Sequence, residues 1–404
     1  MYEKLAKIYY KQSESEYQNE YEKRFNDYGA VKLPFTIKPL KSNEEFQCFY
    51  VHHHNLMMLY ERIKAGSSVI QELMRQLPEA ALSQYIESKL VDELIGTNEI
   101  EGIRSTRAEM KRALDVTHTN KKTKFKSLVM TYIKLLEKDT ANKLEEFQDI
   151  REIYDMLVSD EIDAGDQLDG EIFRKEGVHV ENQFQKVIHK GVTPESVIKE
   201  SLTKLIIFLN EYRAPTLYKI AIAHYYFGYI HPYYDGNGRT SRYISSLYLK
   251  DELDILTSLT LSYGIVHNKK LYYDGFDDAN DRLNKGELSH FCETFFKILL
   301  EAQHYIIDEL NKKLKQLAKL AKFIVDTMDT MKEDEKDIVF ILGQMYLFAS
   351  EERVLKRELE TVIKLSSYRL TKTLGVLVDE GLIDIVGQKP KLVMLTEKVM
   401  DLFD

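Results

Sequence analysis

A chain of 404 residues is too long for one compact core and predicts two or three domains. Its net charge of −9 at pH 7, with a sequence pI near 5.8, excludes a bulk electrostatic pull toward nucleic acid or an anionic membrane. Cys48 and Cys292, the only cysteines, stand far apart without metal-ligand spacing, which fits a reducing cytoplasmic setting.

The opening MYEKLAKIYYKQSESEY has no apolar signal-like core, and no stretch is long enough to span a bilayer, so no membrane association is expected. Seven prolines against frequent Leu, Lys, Glu and Tyr predict a mainly α chain. From Met1 to about Asp27 the charged, Tyr-rich pattern suggests a frayed helix, and Pro34 and Pro39 then punctuate a short extended piece. His52, His53 and His54 are adjacent, so their side chains diverge on a helix and metal binding is not expected. Leu56 to Arg75 reads as an amphipathic helix. No internal repeat or low-complexity linker is visible.

In Glu93–Met110, Thr97 and Glu101 lie four apart on one helix face, and Gly102 is a plausible stop. Taken alone this is a solvated helix end. Between Asp166 and Thr193 a polar stretch carries Gly170, Gly177 and Gly191. There the Val178/Val180 alternation and Val187-Ile188 suggest a short hairpin at about Phe173 to Lys190, with a surface loop as the competing reading.

Leu217–Ile230 is apolar on almost every face and predicts a buried helix. It runs into His231-Pro232-Tyr233-Tyr234-Asp235-Gly236-Asn237-Gly238-Arg239-Thr240-Ser241-Arg242, after which Tyr243, Ile244, Leu247 and Tyr248 resume helical spacing. A loop ending at a helix N-terminus presents unpartnered N–H groups at the positive end of a dipole, which suits an anion. Gly236 and Gly238 permit the backbone conformations that turn such groups toward one phosphate oxygen. Arg239 and Arg242 share a face and can both reach a polyphosphate. Asp235 offers the hard oxygen that Mg²⁺ uses together with substrate phosphates. His231 is suited to taking a proton from an attacking hydroxyl. Asp-Gly and Asn-Gly pairs also make hairpin turns, but that requires strand patterns on both sides and the flanks are helical.

HPYYDGNGRTSR resembles the HxFx(D/E)GNGRxxR signature of Fic (Fido-fold) proteins, with Tyr233 where phenylalanine is usual. Most of that family transfer AMP from ATP to a Ser, Thr or Tyr hydroxyl of a target protein and release pyrophosphate. The resemblance implies a Fic helical core with a small hairpin flap, and casts His231 as general base and Asp235 as the Mg²⁺ ligand. It makes Gly236, Asn237 and Gly238 the anion hole at the α-phosphate, and Arg239 and Arg242 contacts to the β- and γ-phosphates. The complete GNGR favours adenylylation over phosphorylation. The flap would pair with the target backbone as an added strand. Thr97-Asn98-Glu99-Ile100-Glu101-Gly102 likewise resembles the family's inhibitory motif (S/T)xxxE(G/N). Glu101 on Arg242 would then exclude the productive pose of ATP. In some members the same glutamate positions a water that removes AMP, so the direction stays open. Asn268 to Tyr273 resembles the helix closing the adenine side, where Tyr272 or Tyr273 could stack on the base.

The enzyme core is expected to end near Leu299. Ile307, Leu310, Leu314, Leu317, Ala321, Ile324 and Met328 then form a heptad seam on one long helix, packing either on its own chain or in a homodimer. Ile338, Ile341, Met345 and Phe348 mark a further helix, Val354 to Ile363 a second, and Ser366 caps a third that ends at Gly381. Strands at 382–385 and 392–394 flank a turn, so three helices and a hairpin resemble a winged helix. Arg369, Lys372, Lys389 and Lys391 would be its phosphate contacts, although the segment's charge balance suits DNA poorly and protein interaction competes. The expected segments are a helical region 1–92, a Fic domain 93–300 with its inhibitory helix near 93–103, a linker helix 301–332 and a winged helix 333–404. The functional expectation is an autoinhibited protein adenylyltransferase. AMP removal, and a DNA-binding regulator that only senses nucleotide, are the alternatives; the second has no use for His231.

Overall fold

The computed structural model describes residues 2–403 apart from 118, 120, 122, 138–142, 159–161, 163, 164, 166, 182–186, 350–352 and 364. Helices dominate, as the scarcity of turn residues predicts. The chain divides into two compact units, residues 1–68 with 90–304, and residues 69–89 with 305–404. This grouping differs from the four consecutive segments expected, because helices His54–Arg75 and Glu79–Ile100 each contribute to both units. A sequence shows where periodicity changes, not which distant helices share a core.

The first unit is built around Thr216–Ile230, whose side chains are buried on nearly every face. That helix packs on Glu195–Glu211 and on Asn237–Glu252, and the latter also meets Phe147–Val158. The turn 231–236 therefore leaves one core helix and enters another. The N-terminal pattern resolves into two helices, Leu5–Lys11 and Glu14–Phe25, not one frayed element. Ser13 separates them, since its side chain accepts from Glu16 N–H (3.3 Å) while Glu16 accepts from Ser13 N–H (2.9 Å).

Ala30–Ile37 and Phe46–Val51 pair antiparallel, with a register shift between Lys32 and Thr36 where Pro34 removes a donor from the ladder. The second strand carries no sequence signal because its last four residues are all buried, which erases the alternation of a one-faced strand. His179–Glu181 and Val187–Lys190 form an antiparallel pair inside the interval expected for a hairpin, whose tip at 182–186 lies outside the described residues.

In the second unit, the long helix Ser289–Thr327 contributes its portion from Tyr305 onward. Its buried stripe runs through Leu310, Leu317, Leu320 and Ile324, whereas Ala321, expected in the seam, is exposed. Leu320, outside the expected seam, packs so closely on Gly343 of helix Glu333–Gln344 that a Cβ there would lie 2.1 Å from it, so this face of the long helix packs on its own chain. Helices Lys356–Ile363 and Ser367–Asp379 follow. The Ser366 side chain accepts from Arg369 N–H at 3.3 Å, and Gly381 at φ +68° ends the last helix. The second helix begins at Lys356, not Val354, because Val354–Leu355 joins Ile383–Val386 and Leu392–Leu395 in a three-stranded sheet. No helix among the described residues is long and apolar enough to cross a membrane.

Candidate active site

His231 ends the core helix in a left-handed conformation, φ 52° and ψ 62°. Its Nδ1 lies 3.4 Å from the Gly228 carbonyl, which favours a proton on Nδ1 and leaves the Nε2 lone pair to accept. Burial, with His189 and Arg174 nearby, pushes its pKa down to about 4, so the imidazole is neutral at physiological pH.

The loop that follows is clamped from within. Asn237 Oδ1 accepts from Tyr233 N–H (2.9 Å) and its Nδ2 donates to Tyr233 O (2.8 Å). Tyr233 is fully buried, stacks on Tyr154 with centroids 3.7 Å apart, and donates its hydroxyl to Ile150 O at 3.1 Å. The extra hydroxyl of this tyrosine thus finds an acceptor in the core. Tyr233→Phe should lower stability by about 1 kcal/mol, read as a small drop in denaturation midpoint, because only one neutral hydrogen bond is lost.

Gly236 at φ +79° opens helix Asn237–Glu252, and no side chain caps that N-terminus. The first N–H groups of the helix are therefore available to an anion. Arg239 is buried, with Nη2 3.4 Å from Asp235 Oδ2. The Asp235 side chain is 47% exposed at the mouth of the loop. One partly exposed carboxylate beside an anion cradle suits a divalent metal whose other oxygens come from phosphates and water. Among the described residues no group of three or more His, Cys, Asp or Glu could hold a metal by itself.

Thr97 and Glu101, on helix Glu79–Ile100 and its terminal turn, converge on Arg242. Gly102 at φ +75° and a 2.9 Å bond from Ile103 N–H to Asn98 O close that helix end. Arg242 donates Nε to Thr97 Oγ1 (2.9 Å), and Nη2 to Thr97 O (3.0 Å) and Glu101 Oε1 (2.7 Å). Burial opposes the guanidinium's charge, yet Glu101 beside it holds its pKa above the ordinary arginine value. A Cβ on Gly238 would sit 2.0 Å from Glu101 Oε1, so the carboxylate lies directly against the first turn of the helix. The same helix buries Glu93, whose carboxylate accepts from Ser262 N (2.8 Å) and Oγ (2.5 Å), with burial raising its pKa to about 7.

The two tyrosines of Lys269–Asn280 have different surroundings. Tyr272 is buried, and its hydroxyl lies 2.8 Å from His224 Nε2, so it is held in the core and offers no open stacking face. Tyr273 is 47% exposed, with its ring edge-on to that of Tyr272 at 5.3 Å between centroids, and is the more open of the pair. His224 carries no local signal as a lone histidine on an apolar helix. Its partners Ser245 (2.9 Å) and Ser241 (3.1 Å) lie one turn apart on the next core helix, a spacing that could have pointed to it. Arg174, which buries its guanidinium behind His231, left no pattern at all.

Burial pushes the His224 pKa down to about 3. Between that value and the ordinary histidine pKa near 6.5, the unfolded chain binds a proton that the folded chain does not, so stability rises with pH across that window. At pH 5, the loss for His224 alone should be about 2 kcal/mol relative to pH 7. Buried Glu93, its pKa raised to about 7, shifts stability the opposite way over this window. The test therefore compares urea midpoints of wild type and His224→Gln at both pH values, and an equal pH dependence in the two would contradict the buried neutral histidine.

Residues 144–249, spanning the core helices and this loop, match the Fic/DOC family. A Fic family protein from Desulfovibrio desulfuricans G20 superposes with a TM-score of 0.51 at 17% identity, covering 91% of this chain and 99% of that one. A Fic domain-containing signaling protein from Bacteroides thetaiotaomicron VPI-5482 gives 0.44 at 17% identity over 64% of this chain and 97% of its own. The helical loop with its glycine-opened N-terminus, and the family match that covers it, make this chain a carrier of a Fic/DOC-family domain.

Proposed function

We propose that the chain transfers AMP from ATP to a hydroxyl side chain of a target protein, with Glu101 restraining the reaction. Fic proteins act on nucleotides such as ATP with a divalent metal, in AMPylation or related nucleotidyl transfer. The observation that carries the finer reading is the Glu101 carboxylate, 2.7 Å from Arg242 Nη2 and pressed against Gly238. A carboxylate there occupies the place and satisfies the donors that a nucleotide phosphate would use.

In this reading His231 Nε2 takes the proton of the attacking hydroxyl as its oxygen bonds to the α-phosphorus. The bond to the bridging oxygen of the β-phosphate breaks, and pyrophosphate leaves with the electron pair. N–H groups at Asn237–Gly238 hold the α-phosphate oxygens, while Arg239 and Arg242 bind the outer phosphates. Asp235 would hold Mg²⁺, which neutralises phosphate charge when bound. Tyr273 would face the adenine.

A second reading is favoured by one detail. The Glu101 side chain remains 25% exposed beside the cradle, so the same carboxylate could orient a water that removes AMP from a modified protein. The assay uses ATP labelled at the α-phosphate, Mg²⁺ and cell lysate, with wild type, Glu101→Gly and Glu101→Gly/His231→Ala. Label on protein from the single variant but not the double supports transfer. Release of AMP from pre-labelled protein by wild type alone would favour removal.

For the second unit we infer a winged-helix module from its three helices and paired strands. Arg369 is bound to Asp334 at 2.5 Å, which withdraws one candidate phosphate contact and weakens a DNA role relative to a protein partner.

A further inference from the structure

We propose that Arg174 is a positioning residue for His231, a pin that fixes the base and the adjacent strand pair in one register. The kinetic part of this inference rests on the AMP-transfer reading. Arg174 is 0% exposed, and its guanidinium donates to four backbone carbonyls. Nε reaches His231 O at 2.8 Å, and Nη2 reaches Ile230 O at 3.3 Å. These are the last carbonyls of the core helix, which lack intrahelical partners at the negative end of its dipole. A cation there satisfies them and holds the peptide that carries His231 in its left-handed turn. Such a turn is costly for a non-glycine residue and needs fixing from outside.

The same fork grips the strand pair. Nη2 also donates to Val192 O (2.8 Å), just past Val187–Lys190, and Nη1 to Glu176 O (2.7 Å), just before His179–Glu181. Gly191 lies between these groups. A Cβ at that position would be 2.4 Å from Arg174 Nη2 and 3.2 Å from His231 Cβ, so backbone, guanidinium and base are in mutual contact. The segment bearing Arg174 is itself anchored, because Glu195 accepts from the N–H groups of Ile172 (2.8 Å) and Phe173 (3.0 Å). All four acceptors are carbonyls arranged around a planar group. A lysine at this position would keep the charge but could not span them.

The test uses the full chain carrying Glu101→Gly as parent, with Arg174→Lys and Arg174→Gln added separately. Melting curves establish folding. AMP transfer gives kcat and the KM for ATP. The parent and variants labelled in histidine give the titration of the His231 imidazole, identified by its loss in His231→Ala. The expected result is a fall in kcat of about tenfold to a hundredfold in both variants, with KM for ATP unchanged, since the displaced group is the base and not the phosphate site. His231 should titrate at higher pH in Arg174→Gln, where the neighbouring cation is gone, than in Arg174→Lys. Unchanged kcat in a folded variant, a loss confined to KM for ATP, or an unmoved His231 titration in Arg174→Gln overturns the proposal. If the parent transfers no AMP, the functional reading fails and the titration alone decides the role of Arg174. If Arg174→Gln does not fold, the kcat and KM of Arg174→Lys decide it.

Discussion

Glu101→Gly should raise AMP transfer by about a hundredfold, the scale on which small misplacements of a reacting group suppress a rate. The substitution takes the carboxylate from Arg242 Nη2 and clears the face of Gly238, both of which face the same anion position. Arg242 does not lose its place. Thr97 still holds it through Nε (2.9 Å) and Nη2 (3.0 Å). The variant therefore presents a preset guanidinium with one donor free. The cost in the absence of nucleotide should be about 2 kcal/mol, the value of one charge-assisted hydrogen bond. Two measurements check this together: labelled AMP appearing on protein, and a melting temperature that falls without ATP but rises more steeply with it than in wild type. A variant that binds ATP more tightly yet transfers no more AMP would end the inhibitory assignment.

The site was legible in the sequence where its chemistry is local. The turn at Gly236, the helix opened by Asn237 and the shared face of Arg239 and Arg242 are set within a few residues by glycine conformation and helical spacing. The pairing of Glu101 with Arg242 spans 141 positions and leaves no periodic trace, so only the resemblance of the Thr97–Gly102 segment to a family motif could suggest it. Arg174 and His224 were invisible for a different reason. Each acts through backbone carbonyls or buried hydroxyls supplied by other elements, and a polar residue paired in that way looks in sequence like an ordinary exposed loop arginine or a core histidine. Phe46–Val51 escaped because burial on both faces removes alternation. The interleaving of the two units could not be read from pattern changes along one dimension.

Under the proposed AMP transfer, the burial of His231 bears on when the proton moves. A base pushed down to about 4 is a poor acceptor for a free hydroxyl, whose own proton is held far more tightly. In the proposed AMP transfer such a base takes the proton late, as the hydroxyl oxygen bonds to the α-phosphorus and becomes acidic. Two expectations follow in the Glu101→Gly background. His231→Ala should lower kcat by about a hundredfold to ten-thousandfold while leaving ATP binding intact, because the phosphate donors lie on the Asn237–Glu252 helix and not on the imidazole. The acid limb of kcat/KM, which reports groups of the free enzyme, should fall near pH 4 and leave the profile flat from about pH 5.5 to 7.5 where this group alone is concerned. Its sign is fixed by the neutral imidazole being the active form, so activity is lost as pH drops through the folded pKa. An acid limb centred near 6.5 would mean that His231 is solvated like a free histidine in the working enzyme. A His231→Ala variant with undiminished transfer would remove the imidazole from the reaction altogether and leave positioning by the phosphate donors as the whole of the catalysis.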